Sequence, residues 1–441
     1  MPPLLQTIAW WSRPLPFLER ARARYGSRFT VRLIGQSPIV VLSDPEEAKQ
    51  VFTAAPDVLH PGAGAYILEP VVGPNSVILL DEEPHMHQRK LLLGPFHGES
   101  MQRLEGVMAA LAESELETWP LEQPLALHPR FQRLTLEIIL RTVFGLERGT
   151  QLDSLRELLT ELLAFGDSPI SLLPPVQQVL RGRGPLAGFE RTKARVDELI
   201  FALIDERRGA HDEGDDVLSL LLSARHEDGS PMSHDELRDE LITALVAGHE
   251  TTASQLAWGL AMLSRAPAVQ ERIREESDAG SGDEYLSATI HEVMRHRPVL
   301  TSPEPRLVVK PIEVGGVAYE PGVVLFIGAY LVQHDPSVYE EPYAFRPERF
   351  LERPPGTYTW IPFGGGRRRC IGASFALLEM KIVLRALMRR FEVRPAAPAP
   401  ERPRRRGISV SPAGGCLVVL SEPAAPGADR QSREPAAAAL A

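Results

Sequence analysis

A long stretch of helical periodicity constrains the fold of this chain more than any other feature. From about residue 84 to residue 275, apolar residues recur at helical spacing, as in MQRLEGVMAALAESELETW and RTKARVDELIFALIDERRG. Residues 235–265 form the longest such run, and Pro267 marks its end. Strand spacing occurs only near the two ends of the chain. The sequence therefore predicts a mainly α protein with a smaller β lobe.

Short segments with strand spacing predict that lobe. Residues 30–43 contain two of them around a Gly-Gln-Ser-Pro turn, and residues 306–331 return to the same spacing. Asp44 and Pro45 are typical of the N-cap and first position of a helix, so a helix should follow the second strand directly. A last pair of strand patterns, in GISVSPAGGCLVVL, ends near Ser421.

These patterns give the domain organisation. The 441 residues exceed the roughly 250–300 at which single cores stop growing, so the chain is one large unit or several domains. We expect a single domain over residues 1–420, whose β lobe comes from about 28–45 and 306–331, and a disordered tail over 421–441. Residues 166–175, GDSPISLLPP, interrupt two helices and could form a mobile lid.

Charge and apolar content exclude several classes of protein. Acidic residues outnumber basic ones by 58 to 48, and the formal net charge is -10, so nucleic acid is not expected as a partner. No apolar run approaches the ~20 residues that cross a bilayer, and no signal peptide is recognisable, so we expect a cytoplasmic protein. Trp10 and Trp11 could touch a membrane surface, although packing on the protein body is favoured. Two cysteines cannot form a disulfide framework or a cysteine-rich metal site.

The stretch FGGGRRRC, residues 363–370, ends at one of these cysteines. It lacks the Lys followed by Ser or Thr of a Walker loop and the spaced glycines of a dinucleotide fingerprint. Cys370 stands just before a strongly helical segment, 373–391, whose N-terminal N–H groups favour a thiolate. A thiolate there could bind iron, glycines 364–366 would let the backbone approach a flat macrocycle, and Arg368 could bind a carboxylate. A flexible surface turn before a buried cysteine is the alternative.

The loop resembles the signature of the cytochrome P-450 family, which reads Phe, two residues, Gly, one residue, Arg, one residue, Cys, one residue, Gly. Its fixed positions are filled here by Phe363, Gly366, Arg368, Cys370 and Gly372. The resemblance implies that Cys370 is the axial ligand of a haem iron. It also implies that the haem is contacted by Phe363, Gly364, Arg368 and Gly372.

The hexamer AGHETT, residues 247–252, lies inside the longest helical run. On its own, it is also typical of a helix whose threonine hydroxyls bond back to carbonyls. In this place it resembles the family's oxygen-activation motif. The resemblance makes Glu250 and Thr251 the catalytic pair and puts Ala247 and Gly248 beside the haem, where a small residue leaves room for a ligand.

Three further motifs follow the family's order. His85 and Arg89 in HMHQR match a pattern that binds a haem propionate, and Arg306 matches another propionate ligand. EVMR at 292–295 and PERF at 347–350 resemble the family's buried ion triad, although an exposed Glu–Arg pair is common on helices. The triad would consist of Glu292, Arg295 and Arg349, and its role would be structural.

Membership of this family implies the cytochrome P-450 fold, with haem b buried between the long central helix and the helix after the cysteine loop. It implies a soluble bacterial-type monooxygenase, of the kind found in secondary metabolism, that uses O₂ and takes electrons from NAD(P)H through a ferredoxin and ferredoxin reductase. Arg367, Arg369 and Lys90 would face the ferredoxin, or would be ordinary solvated charges. We expect a monomer.

By family position, a substrate pocket would draw on residues of mainly apolar type, namely Tyr66, Ile67, Val71, Ile78, Phe165, Ile170, Thr243, Ala244, Val299 and Leu300. Their chemistry favours an apolar substrate such as a terpenoid, steroid, fatty acid or polyketide, which would be hydroxylated or epoxidised. Two alternatives stay open: a peroxide-driven haem-thiolate enzyme, and a non-enzymatic haem-binding or recruitment protein.

Overall fold

The computed structural model describes residues 1–96, 99–147, 149–166, 184–210, 214–280 and 282–423. Within these ranges the body is helical and the strands are short, as the periodicity predicted. The predicted lid lies outside the described residues from 167 onward, and the predicted tail lies outside them from 424 onward. None of the described helices is both long enough and apolar enough to span a membrane.

The helices are numbered in chain order. Their bounds are α1 Pro3–Ser12, α2 Pro14–Tyr25, α3 Pro45–Thr53, α4 Pro61–Gly64, α5 Glu69–Val72, α6 Glu82–Leu93, α7 Glu99–Glu117, α8 Leu127–Thr142, α9 Thr150–Gly166, α10 Gly184–Ala210, α11 Val217–Ser223, α12 His234–Leu263, α13 Pro267–Ala279, α14 Glu284–His296, α15 Ala329–Val332, α16 Arg349–Glu352 and α17 Ala373–Arg390. Short 3₁₀ turns cover Tyr66–Leu68, Gly94–Phe96 and Gly366–Arg368.

Within the described ranges, the strands form four small sheets. Their bounds are β1 Arg28–Val31, β2 Ile39–Leu42, β3 Leu59–His60, β4 Pro124–Ala126, β5 Arg306–Val308, β6 Ile312–Val314, β7 Val317–Tyr319, β8 Val324–Ile327, β9 Glu392–Pro395, β10 Pro403–Arg406, β11 Ser409–Pro412 and β12 Leu417–Ser421. The largest sheet has the order β1-β2-β8-β5-β3, with β2 and β8 parallel. Strands from the two predicted segments therefore pair with each other. The remaining sheets are β4-β12-β9, β10-β11 and β6-β7.

Capping residues fix where two key helices begin. Asp44 accepts hydrogen bonds from the backbone N–H groups of Glu46 and Glu47, as the sequence predicted for α3. Ser233 and Glu236 form a reciprocal capping box at the start of α12. This 30-residue helix is apolar on several faces and runs through the body, packed along α8. The central helix expected from residues 235–265 is thus confirmed.

The N-terminal helices pack on the large sheet. Trp10 is only 5% exposed, and its ring makes edge contacts with Phe17 and Phe326. Trp11 is half-buried. The expectation that Trp10 packs on the protein body is therefore confirmed, and its ring is not available to a membrane surface.

Candidate active site

The loop before Cys370 is held by its own backbone and by the β lobe. The Cys370 N–H donates to Phe363 O at 3.0 Å, and the Arg369 N–H donates to Gly366 O at 3.2 Å. Gly366 has a φ of 63°, and a Cβ there would lie 2.1 Å from the backbone oxygen of Phe52 on α3. The sequence reasoning explained this glycine by the approach of a macrocycle. The structure supplies a different reason, which is close packing of the loop on α3.

Two more of the predicted glycines, Gly364 and Gly372, differ in their surroundings. Gly364 has a φ of 68°, and a Cβ there would lie 3.2 Å from Pro303 Cβ. Gly372 stands directly before α17, and a Cβ there would meet no protein atom within 4 Å among the described residues. The Gly372 side of the loop is therefore open, so a flat group could approach it without displacing protein.

Cys370 is accessible at the surface of the loop. It has accessible surface, yet protein surrounds it closely enough that burial raises the pKa of the thiol. A hydrogen bond from the Gly372 backbone and the positive charges of Arg89 and Arg369 act in the opposite direction. These groups would stabilise a thiolate once a metal cation faces the sulfur.

The buried helix α12 has accessible residues near its centre. Ala247 is exposed and Thr251 is half-buried, whereas residues 252–260 are all buried. Ala247 and Thr251 share one helix face, and the Thr251 hydroxyl donates to Ala247 O at 2.5 Å. A threonine hydroxyl bonded back to a helix carbonyl is the arrangement that AGHETT would have in an ordinary helix. The bond uses the only proton of the hydroxyl, and its oxygen can still accept a hydrogen bond from a ligand.

Glu250 faces α8 through a buried polar network. Its Oε1 lies 3.2 Å from His128 Nε2 and accepts from Ser254 Oγ at 2.8 Å, and its Oε2 accepts from Gln132 Nε2 at 2.8 Å. Burial by itself would raise the pKa of Glu250, but these hydrogen bonds and the His128 charge bring that pKa below its ordinary value. Glu250 is therefore held ionised on the side of α12 that contacts α8.

Gly248 and His249 also face α8. A Cβ at Gly248 would lie 3.3 Å from Ile139 Cδ1, so this glycine serves helix packing where the sequence reasoning assigned it to a ligand. His249 Nδ1 lies 2.9 Å from Thr135 Oγ1, and burial lowers the pKa of His249 to about 4. A neutral, hydrogen-bonded histidine at this position is part of the helix contact.

Basic side chains from three segments meet at one end of the site. His85 and Arg89 come from α6, Arg306 from β5, and Arg368 from the cysteine loop. Burial, together with the charges of the three arginines, lowers the pKa of His85 to about 3. His85, Arg306 and Arg368 line a shared small cleft. Because these basic side chains repel one another, the cluster favours the binding of an anionic group.

Two carboxylates balance part of this positive charge. Asp81 Oδ1 accepts from Arg368 Nη2 at 2.7 Å, and Glu304 Oε2 lies 3.5 Å from Arg306 Nη1. Arg89 instead donates to a backbone oxygen, Arg369 O, at 2.7 Å. Three arginines against two acids leave a positive balance. This cluster, the accessible thiol and the open side at Gly372 together fit a haem, which has one iron and two carboxylates.

The structure brings the three residues of the expected triad together in the core. Arg295 Nε lies 2.7 Å from Glu292 Oε2, and Arg349 Nε lies 3.1 Å from Glu292 Oε1. Glu292 and Arg295 are fully buried, and Arg349 is 8% exposed. Arg295 also donates to the backbone oxygens of Gln333 and Pro342 at 2.8 Å each. The triad thus ties α14 to the chain that leads to the cysteine loop.

The comparison with protein families agrees with this geometry. A family model described as Cytochrome P450 matches residues 3–418. The chain belongs to the cytochrome P450 family. Cytochrome P450 135B1 of Mycobacterium tuberculosis is 36% identical over 421 residues, covering 94% of this chain and 89% of the relative. Cytochrome P450 138 of the same organism is 37% identical over 421 residues, covering 95% and 94%.

Solved structures confirm the P450 fold. The cyanobacterial CYP120A1 with bound retinoic acid superposes with a TM-score of 0.83 at 22% identity, covering 95% of this chain and 96% of that one. The haem domain of cytochrome P450DA gives a TM-score of 0.78 at 22% identity, covering 93% of each chain. The predicted fold class, mainly α with a smaller β lobe, is therefore correct.

Three of the P450's predicted pocket residues pack against one large apolar cluster. Val71, Ile78 and Ala244 are partly buried and pack against the same apolar cluster as Ile371, the neighbour of Cys370. Val299 and Leu300 belong to a separate cluster around Trp258, and Val299 is only 9% exposed. Val71, Ile78 and Ala244 are more accessible than Val299, which leaves them available for contact with a substrate.

The remaining predicted pocket residues have other surroundings. Tyr66 is 50% exposed, and Ile67 beside it is half-buried. Thr243 Oγ1 lies 2.7 Å from Ser76 Oγ and 2.6 Å from Asp239 O, so it fastens the loop before α6 to α12. Ile170 and the side chain of Phe165 lie outside the described residues.

Sequence reasoning missed the partners of the P450's acidic residue on α12. His128 and Gln132 stand four residues apart in LHPRFQRL, which puts both on one face of a helix, and this was the available signal. Asp81, the partner of Arg368, stands four residues before His85 in DEEPH. Its pairing with the cysteine loop could not be inferred from spacing, because the loop is distant in sequence.

Proposed function

We propose that this P450 is a haem-thiolate monooxygenase that inserts one oxygen atom from O₂ into an apolar small molecule. The observation that carries the proposal is the position of Cys370. Its thiol is accessible, lies beside the Gly372 N–H, and is flanked by a cluster of cations that suits the haem propionates. A haem b bound there would supply the binding and activation of O₂.

Six of the predicted cofactor residues would then have definite tasks. Cys370 would bind the iron as a thiolate, and the Gly372 N–H would moderate the charge on its sulfur. The propionates would be held by His85, Arg89, Arg306 and Arg368. For Arg368 this requires a second contact besides Asp81, or an exchange of one for the other, since Asp81 Oδ1 is only 2.7 Å from Arg368 Nη2.

Thr251 and Glu250 would handle protons. The Thr251 oxygen lies beside the accessible surface of Ala247, where it can accept a hydrogen bond from a ligand. Glu250 is ionised and bonded to His128 on α8, so it can receive a proton on the protein side of α12. Rotation about the side-chain bonds of Glu250 would bring that proton toward Thr251.

The electron donor would dock beside the cysteine loop. Arg367 and Arg369 are exposed there, which suits an acidic protein such as a ferredoxin that is reduced by NAD(P)H through its reductase. Lys90, also predicted to face the donor, lies 2.7 Å from Glu227 in an exposed ion pair. Its charge is therefore partly neutralised, and the two arginines are the stronger candidates.

The substrate would be apolar. Val71, Ile78 and Ala244 support this class because they combine aliphatic side chains with partial exposure. Terpenoids, steroids, fatty acids and polyketides all meet this description, and hydroxylation and epoxidation are both open to such a site.

The thiolate ligand is tested by the absorption spectrum of the purified protein, reduced with dithionite and exposed to carbon monoxide. We expect a Soret band at the long wavelength that is characteristic of thiolate-ligated haem. Cys370→Ala should lose this band because the axial sulfur is gone. Cys416→Ala, which changes the other cysteine, is the matched control and should keep it. A wild-type band typical of histidine ligation, or an unchanged band in Cys370→Ala, would overturn the proposal.

Thr251→Ala separates the monooxygenase from a peroxide-driven enzyme. With redox partners, we expect product formed per NAD(P)H to fall by about tenfold or more, because the hydroxyl that orders protons is lost. Turnover driven by added peroxide should persist. Thr252→Ala, which changes the buried neighbour, is the control. Equal loss in both assays would contradict the relay, and no turnover across a panel of apolar compounds would favour a non-enzymatic haem protein.

A further inference from the structure

The first helix presents an apolar face to solvent. On α1, Leu4, Leu5 and Ile8 are 57%, 50% and 53% exposed. Leu4 and Ile8 stand four residues apart with Leu5 between them, so the three side chains share one helix face. Trp10 projects from the opposite face and is buried. We call Leu4, Leu5 and Ile8 the N-terminal apolar face.

This face is held rigidly outward. Gln6 Oε1 accepts a hydrogen bond from the Arg32 N–H at 3.0 Å, and Thr7 Oγ1 accepts one from the Ile34 N–H at 3.1 Å. Both contacts fasten α1 to the chain that leaves β1. Ile34 is itself 52% exposed, so it extends the apolar surface. A fixed apolar surface of this kind indicates an interaction site.

The charges around the face are strongly unlike those of the whole protein. The formal net charge of the chain is -10, but residues 1–43 contain one acid, Glu19, and six basic residues. The basic residues are Arg13, Arg20, Arg22, Arg24, Arg28 and Arg32. This segment therefore has a formal charge of six minus one, or about +5.

Most of this positive charge is free to meet a partner. Arg22 pairs with Asp335 and Arg28 with Glu47. Among the described residues, no acid forms an ion pair with the exposed residues Arg13, Arg20, Arg24 and Arg32. The single acid of the segment, Glu19, accepts a hydrogen bond from the Tyr330 hydroxyl, so its charge is engaged inside the protein.

We propose that the N-terminal apolar face binds the surface of a bilayer that contains anionic phospholipids, with α1 lying in the plane of the interface. The face is convex, and its aliphatic side chains protrude separately. Such a face inserts readily among lipid chains, whereas a protein partner would need a groove that matches its shape. Exposed arginines beside the face suit anionic headgroups. The burial of Trp10 excludes its ring as the anchor, so Leu4, Leu5 and Ile8 take its place.

Sedimentation of the full chain with vesicles tests the proposal. We expect binding to vesicles of three parts phosphatidylcholine to one part phosphatidylglycerol, and weaker binding to phosphatidylcholine alone. The triple variant Leu4→Ser, Leu5→Ser, Ile8→Ser should bind both kinds at least about tenfold more weakly, because its apolar area is lost. Arg13→Gln with Arg32→Gln should weaken binding to the anionic vesicles alone, by about tenfold.

The control is a triple variant of similarly exposed apolar residues elsewhere, Leu121→Ser, Val317→Ser and Leu351→Ser, which should bind vesicles like the wild type. Thermal unfolding checks that every variant is folded. No vesicle binding by the wild type, or an equal loss in the control, would overturn the proposal. Self-association of the wild type without vesicle binding, abolished in the Leu4, Leu5 and Ile8 variant, would show that the face binds a second copy instead.

Discussion

Glu379 is an acidic residue buried in the apolar core. It lies on α17, the helix that follows Cys370, and is 1% exposed. Its Oε1 atom has no hydrogen-bond partner among the described residues. Burial raises the pKa of Glu379 from 4.5 to about 8, so the carboxyl is protonated in the folded protein near neutral pH.

Glu379 makes the free energy of unfolding depend on pH. The folded carboxyl holds its proton more tightly than the unfolded one does. Its contribution to the free energy of unfolding is therefore fully present below pH 4.5, the unfolded pKa, and is lost as pH rises through about 8. Glu379→Gln removes the charge that must otherwise be buried at high pH. We expect it to leave the melting temperature nearly unchanged at about pH 5 and to stabilise the fold by about 5 kcal/mol at about pH 9.

Thermal unfolding followed by circular dichroism across this range would measure the effect. Glu313→Gln, at an exposed strand position, is the matched control and should show no such trend. A difference between Glu379→Gln and the wild type that does not change with pH would contradict the assignment.

The contact between α8 and α12 controls the position of a proposed proton donor. His128 is fully buried on α8, and its Nε2 lies 3.2 Å from Glu250 Oε1 on α12. Without it, Glu250 would remain buried with only the neutral partners Gln132 and Ser254. We expect His128→Leu to raise the pKa of Glu250, because burial would then outweigh the remaining hydrogen bonds.

The pH profile of product formed per NAD(P)H would report this change. In His128→Leu, the limb that depends on Glu250 should move to higher pH, and total turnover should fall. His128→Gln can still donate to Glu250 and should give a smaller shift. A profile that falls in height without moving would mean that His128 acts only in packing.

The buried triad links the helical body to the chain that carries the ligand loop. Arg349→Met should leave Glu292 with one cation in a fully buried site. Breaking a buried ion pair typically costs about 3–5 kcal/mol, so we expect a large loss of stability and poor incorporation of haem. Thermal unfolding and the ratio of haem to protein absorbance would measure both.

The control for the triad is Arg346→Met. Arg346 lies 2.5 Å from Glu352 in an exposed ion pair, so its removal should change stability by about 1 kcal/mol or less. Similar losses in Arg346→Met and Arg349→Met would contradict a special role for the buried group.

Across the whole molecule, the sequence predicted what depends on local spacing. Helical period predicted the central helix α12, strand spacing predicted β1 and β2, and fixed motif spacing indicated the family that the family model confirms. The side chains that Glu250 and Gly248 meet could not be predicted, because they belong to a helix more than a hundred residues earlier. The N-terminal apolar face was also missed, since Leu4, Leu5 and Ile8 have the spacing of residues that face a core.

The packing of the cysteine loop on α3 has a consequence for evolution. A Cβ at Gly366 would meet the backbone oxygen of Phe52, which no substitution can remove, whereas a Cβ at Gly365 would meet its ring at 2.8 Å. Among relatives, position 366 should therefore be invariant, and position 365 should covary with the size of the side chain at 52. Mutant libraries aimed at the loop would be more productive if they randomised positions 365 and 52 together and kept Gly366.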